Sequence, residues 1–285
     1  MVLDLHLVLL VLAAAVIHAI WNALIKASGD HFVTLMIIIG TGSLLAALAL
    51  PMLSLPPRAA WPYLAAAFFL HQGYYLFMLL SYRVGDLNQV YPVARGIAPL
   101  VVAGLAAVMA GEVPNGGGVV GIVAVSLGIA GLAFSGGRPR GRALAPLAMA
   151  AATGVCLGTF TVIDGIGVRL SVSSWDFIAW LLFINGLPMI TVALVWHRDR
   201  LRVYASGSWK RAFGGGVLSA IGFAILLYAL GRGGMAHVAA LRETSVLFAA
   251  LIGSMTLHEP LGVRRTVAAA VIASGLVLLQ LSGRF

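Results

Sequence analysis

The chain has 285 residues, 61% hydrophobic and only 9% charged, with a mean hydropathy of +1.03. A soluble domain carries roughly a quarter charged residues to keep its surface hydrated, so this composition excludes a water-facing exterior and leaves a lipid-facing one. The 18 Lys+Arg against 9 Asp+Glu, net +9, sit in short gaps between apolar runs, which fits anionic headgroups and excludes the solvated basic face of a nucleic-acid binder. A single cysteine, Cys156, excludes an intrachain disulfide and any metal site built on several cysteines.

The first apolar stretch, Leu5–Ile25, is too long for a signal-peptide core, and no basic region precedes it. It also holds Trp21 and Asn22, which do not resemble a cleavage site. It is read as a retained transmembrane helix. A bilayer core of about 30 Å needs about 20 apolar residues per helix. Cutting at charges, glycines and prolines predicts ten spans. The first five are Leu5–Lys26, Phe32–Leu53, Trp61–Tyr82, Leu87–Ala110 and Gly117–Ser135. The second five are Leu144–Ile163, Trp175–Trp196, Ala212–Gly231, Ala236–Leu257 and Thr266–Leu281.

Spans 4–5 and 9–10 repeat one another. A gapless slide of 147 residues places Arg95 on Arg242, Glu112 on Glu259, Gly128 on Gly275 and Ser135-Gly136 on Ser282-Gly283. Charges are scarce here, so two charged matches at one spacing indicate an internal duplication. The expected fold is an all-α integral membrane protein with ten transmembrane helices, arranged as two five-helix repeats over residues 1–138 and 139–285. Five is odd, so the second copy is inverted, a design by which secondary transporters build a central midplane cavity.

Span 3 carries His71, Tyr74, Tyr75, Met78 and Tyr82 at i, i+3, i+4, i+7 and i+11, all on one helical face. A lipid-facing stripe would prefer Leu and Val, so this face is either a packed seam or a cavity wall for amphiphilic solutes. His18, Trp21 and Asn22 share a face of span 1 with the same two options. Tyr228 on span 8 is a lone polar aromatic. Arg95 and Arg242 lie roughly 10 Å inside their helices. Ionisable groups at that depth face protein or a wet cavity. They either contact a substrate carboxylate or tie down a helix break, with Pro92, Gly96 and Pro99 flanking the first. Glu243 either receives an ammonium or a proton, or pairs with the adjacent Arg242. On that pairing Arg242 is neutralised internally, and Arg95, with Tyr91 one turn away, is the more substrate-sensitive. Asp164 reads as a solvated residue at the end of span 6, and Glu112 and Glu259 as structural helix ends. The glycine pairs Gly117/Gly121 and Gly154/Gly158 read as close helix packing. Gly116–Gly121 matches GxGxxG without a preceding strand and is not a dinucleotide site.

Three motifs bring a family into view. His18-Ala-Ile-Trp21-Asn22-Ala-Leu-Ile-Lys26 resembles the opening helix of EamA-type proteins, and Tyr91-Pro92-Val-Ala-Arg95-Gly-Ile-Ala-Pro99 with Gly111-Glu112 resembles their fourth helix. Leu241-Arg242-Glu243-Thr-Ser245 with Glu259-Pro260 is similar to the matching helix of the second half. Together with the duplication, the likeness covers the whole chain. It is to the drug/metabolite transporter superfamily, most closely its ten-helix, YddG-like amino-acid and metabolite exporters.

The resemblance implies a basket in which helices 1, 3, 4, 6, 8 and 9 surround the cavity while 5 and 10 stay outside. It implies a multi-pass protein of the bacterial inner membrane, exporting amino acids and related amphiphilic metabolites by alternating access. Small molecules and membrane lipids are the expected partners, with no nucleic acid, no cofactor, no metal and no catalytic residue; the chain is read as a monomer. The rival class is a membrane-embedded, lipid-linked group transferase, which would cluster acids or Ser/His pairs at one interface; the nine Asp+Glu are scattered instead.

Orientation follows from charge. Twelve of the 18 Lys+Arg fall in gaps after odd-numbered spans and four in the termini and even gaps, so the positive-inside rule puts both termini outside. The family habit puts them in the cytoplasm. If charge decides, a periplasm-only alkaline phosphatase fused after Phe285 is active, while one inserted between Arg198 and Lys210 is silent. The reverse pattern assigns orientation to the family habit.

Overall fold

The structure is a computed structural model of the chain, and it describes residues 3–26, 28, 30–84, 87–133, 144–205, 209–249, 251 and 263–282. The first half of the chain contributes α1 (Leu5–Lys26), α2 (His31–Ala49), α3 (Trp61–Val84), α4 (Leu87–Ala110) and α5 (Gly116–Ala133). The second contributes α6 (Leu144–Leu170), α7 (Ser174–Trp196), a short amphipathic α8 (Arg198–Ala205), α9 (Trp209–Arg232), α10 (Met235–Arg242), α11 (245–249) and α12 (Val263–Ser282). Among the described residues there is no strand. Among these residues seven helices are long and apolar enough to cross a membrane, and the helical stretches Gly116–Leu132 and Thr266–Ser282 are shorter apolar ones. Large apolar side chains point outward from most of them, Leu44 and Leu48 on α2, Leu76 on α3, Leu127 on α5 and Leu194 on α7 among them. This is the surface a lipid solvent requires.

Local chemistry sets the helix ends. Asp30 caps α2, its carboxylate accepting from Val33 N–H at 3.1 Å. Ser173 caps α7 by accepting from Trp175 N–H at 3.3 Å. Gly111, with φ of 67°, turns the chain after α4 so that Glu112 N–H reaches the Ala106 carbonyl at 3.0 Å.

Small residues set how closely the helices approach. A Cβ on Gly121 would stand 2.7 Å from the Gly275 carbonyl oxygen, and one on Gly275 would stand 2.8 Å from the Gly121 carbonyl. Thus α5 and α12 meet backbone to backbone, on the outside of the bundle. A Cβ on Gly154 would stand 2.5 Å from the Ala94 carbonyl, and one on Gly158 would stand 2.6 Å from Val101 Cβ, which sets α6 against α4. Both glycine pairs singled out in the sequence sit at such crossings.

Two spans differ from expectation. α6 runs to Leu170, two turns beyond the predicted Ile163. Asp164 is therefore not a solvated helix end but a residue with 0% exposure facing protein. The helix continues because its last turn has partners: Arg169 ion-pairs with Glu112 at 2.5 Å and donates to the Leu230 and Gly233 carbonyls at 3.0 and 2.6 Å. The ninth span is not one helix. It breaks at Glu243-Thr244, where Thr244 N–H reaches Leu241 O and Leu247 N–H reaches Thr244 O in tighter i−3 bonds. The remainder of that span, including Glu259, lies outside the described residues.

One end of the bundle is sealed. Glu112 also accepts from Met235 N–H, the start of α10, at 2.7 Å, so α4, α6, α9 and α10 are tied at one point. Asp176 accepts from Ser54 N–H at 3.1 Å on the same side. Replacing Gly121 with Ala should therefore lower thermal stability in detergent by the equivalent of about 1–3 kcal/mol, the usual overpacking cost. Gly131→Ala on the same helix, where a Cβ meets nothing within 4 Å, should stabilise by about 1 kcal/mol or leave stability unchanged.

Candidate functional site

A cavity of about 580 Å³ lies at the centre of the bundle, within the size range of small-molecule sites. α1 supplies His18, Trp21 and Asn22; α3 supplies His71, Tyr74, Tyr75 and Met78; α4 supplies Tyr91 and Arg95. Phe160 of α6, Asn185 of α7, Phe223 of α9 and Arg242 of α10 complete the wall. α5 and α12 contribute nothing to the lining among the described residues, as the basket arrangement implies. Unlike that arrangement, α2 and α7 also reach the cavity, through Phe32, Leu35, Ile39, Leu182 and Asn185.

The α3 face is held by aromatic stacking. His71 lies flat on Phe160, centroids 3.8 Å apart and planes 24° apart, and meets Phe223 edge-on at 5.8 Å. Tyr74 packs edge-on against both Tyr75 and Phe160, at 5.5 and 5.6 Å. The stripe is a cavity wall as well as a seam; the side chain of Tyr82 lies outside the described residues. On α1, His18 and Trp21 meet edge-on at 4.9 Å, and Asn22 donates its amide N–H to the His18 carbonyl at 2.7 Å.

The paired arginines have unequal surroundings. Arg95, 3% exposed, places Nε 3.1 Å from Glu243 Oε2, in an approach too bent for a hydrogen bond, and donates from Nη2 to Ser245 Oγ at 2.8 Å. Its guanidinium also stands 5.7 Å from the centre of the Tyr91 ring. Arg242 lines the cavity and makes no hydrogen bond or ion pair among the described residues. The sequence expectation is thus reversed. Glu243 contacts Arg95 across the interface and makes no ion pair with its chain neighbour, because adjacent helical residues point about 100° apart. Arg242 is the exposed cation.

Three candidates fall outside the lining. Glu243 and Ser245 are buried behind Arg95 and reach the cavity only through it. Tyr228 belongs to the sealed end, stacked on Trp175 at 5.9 Å with the Arg232 guanidinium 3.7 Å over its ring. The amphipathic tip of a Tyr this near a helix end serves as an interfacial anchor.

Other lining residues escaped the sequence reading. Asn185 is 5% exposed with an Oδ1 that accepts no hydrogen bond, and a lone amide in the apolar run of α7 was its signal. His31, Phe32, His197 and Arg200 line the end of the cavity opposite the seal. There Arg200 donates from Nη2 to Asp30 Oδ2 at 2.6 Å. Partial burial pushes the Asp30 carboxyl up, but the Val33 N–H and the Arg200 guanidinium outweigh it and hold the group below its ordinary value.

The family described as the EamA-like transporter family matches residues 144–281. A solved structure titled only as the crystal structure of a protein superposes with a TM-score of 0.78, covering 98% of this chain and 96% of its own. At 17% identity that likeness shows a shared fold. No curated protein matches the chain. Residues 144–281 thus resemble the EamA-like transporter family, and the chain as a whole shares its fold with the matched solved structure.

Proposed function

We propose that the protein carries amino acids and related amphiphilic metabolites out across a bacterial inner membrane, alternating access between two inverted repeats, residues 1–138 and 139–285. The observation that carries this reading is Arg242, a cation with no hydrogen bond or ion pair among the described residues, in an aromatic-walled cavity. A guanidinium left unpaired at membrane depth is costly, and a bidentate carboxylate satisfies it. Tyr74, Tyr75, Trp21 and Phe160 offer apolar area for a side chain and ring faces for an ammonium. Asn185 Oδ1 offers an acceptor for the same ammonium. A cavity tied shut at the Glu112 end is what one state of an alternating carrier needs. The export direction follows the sequence resemblance.

Counterflow of labelled amino acids in liposomes tests the role of Arg242. Arg242→Gln should fold normally and lose about 1.5–3 kcal/mol of binding, as expected for one charge-assisted hydrogen bond. That is roughly ten- to a hundredfold in affinity, and it should spare the amide analogue of the same amino acid. Arg95→Gln should instead lower stability by about 3–5 kcal/mol, because it strands a buried Glu243. A folded Arg242→Gln protein with unchanged affinity for every carboxylate tested would sink the assignment.

The α3 wall is tested separately. Cysteines at Tyr74, Tyr75 and Met78 should react with a small polar thiol reagent and be protected by substrate. A cysteine at Leu76, which faces lipid with 55% exposure, should stay unreactive. Equal labelling at all four positions would remove the wall from the substrate path.

A further inference from the structure

His71 and Asp164 form a pair that the substrate cavity does not explain. Both are buried, at 3% and 0% exposure, with His71 Nε2 standing 3.6 Å from Asp164 Oδ2. Among the described residues neither carboxylate oxygen of Asp164 receives a hydrogen bond, and His71 Nε2 makes none. Asp164 lies six residues before the end of α6, so about 9 Å inside the helix.

The donor count settles what the pair lacks. His71 Nδ1 lies 2.9 Å from the Ala67 carbonyl, which can only accept, so Nδ1 carries the hydrogen. In a neutral imidazole Nε2 is then a lone pair, and it faces a carboxylate that also has only lone pairs. Two acceptors face each other across a gap just beyond hydrogen-bond reach. One proton resolves the conflict, whether it sits on Asp164 Oδ2 and is donated to Nε2 or on Nε2 and is donated to Oδ2. Buried acceptors left facing each other would each carry a desolvation cost.

We propose that His71 and Asp164 together form a binding site for a single proton, facing the substrate cavity across the α3–α6 contact. The site titrates as a unit and not as two residues. The proton comes from hydronium in the cavity and returns to water, with no other bond formed or broken. Arg242 from α10 and Tyr75 from α3 are the charged and titratable groups whose fields reach the pair, while α9 faces it with Phe223 and α6 with Phe160. A substrate carboxylate on Arg242 cancels the positive field at the pair and favours the bound proton. Proton and carboxylate therefore bind together. This linkage rests on the carrier reading above; the proton site itself does not.

Asp164→Asn is the informative variant, because its amide N–H can donate to Nε2 and hold the pair in its protonated form permanently. Potentiometric titration of the purified proteins between about pH 5 and pH 9, a range that brackets imidazole, should show the variant taking up one proton fewer than the native chain. In liposomes with an entrapped pH dye, the native protein should acidify the lumen as it takes up a carboxylate substrate. Asp164→Asn should keep substrate counterflow but move no protons. His71→Phe, which keeps the ring stacked on Phe160 and removes both nitrogens, should lose the same proton and decides the matter if the Asn variant does not fold. Coincident titration curves for the native chain and the folded variant overturn the proton site. Undiminished proton movement by Asp164→Asn overturns it as well. A native protein that shows no counterflow at all overturns the carrier reading, while the titration still decides the proton site.

Discussion

Everything at the centre of this molecule depends on how a lipid-embedded bundle accommodates charge. Lipid offers no water to solvate a guanidinium, so Arg95 must find its partner within the protein. It finds Glu243 and Ser245 on the other half of the chain, at the point where the ninth span stops being helical. Glu243 meets Arg95 of α4 while Arg242, one residue before it and about 100° around the helix, stays on the cavity side. A buried pair of this kind adds little net stability over an apolar contact but penalises every arrangement that separates its members. It pins α4 to α10 in register.

The same contact sets the two arginines apart. Under the slide of 147 residues, Arg242 corresponds to Arg95, but Glu243 and Ser245 fall on Gly96 and Ala98. At these two positions the first half offers Arg242 neither a carboxylate nor a hydroxyl. Gly96 is not free to change either: a Cβ there would stand 2.9 Å from the Ser126 carbonyl and 3.2 Å from Ala130 N, because α5 packs directly against it. Close helix packing in one half thus leaves the cation of the other half unpaired. The cavity is asymmetric in its charge, with Arg95 committed to a buried contact and Arg242 facing the cavity.

The helices were legible because apolar length, broken by charge and proline, is a strong signal; α1 and α4 match their predicted bounds to the residue. The aromatic stripe of α3 was legible for the same reason, since a period of 3.6 is local. The assignments that changed all turned on contacts between distant segments. Asp164 looked like a helix end because charge usually marks one, and only Glu112 and the carbonyls beyond Leu230, far along the chain, explain why α6 carries on to Leu170. The two arginines were exchanged because Glu243 adjoins Arg242 in sequence, whereas backbone geometry at the break directs it elsewhere. Tyr228 resembled a cavity residue by type, and its place at the sealed end follows from Trp175 and Arg232. Residue type and period show that a group is buried; only the tertiary fold shows against what.

α10 connects these features mechanically. Its first N–H is held by Glu112 at the sealed end, and its last residue is Arg242 in the cavity, so eight residues span roughly 10 Å between seal and site. A helix this short transmits displacement without bending, and both of its ends have defined flexures: Gly233-Gly234 before it and the break at Glu243 after it. On the proposed function, a carboxylate drawn onto Arg242 pulls on the element whose other end closes the bundle. Arg242 is also the charge whose field falls on His71 and Asp164. Substrate, proton and seal therefore bear on a single two-turn helix, and coupling between them needs no longer pathway than α10 itself.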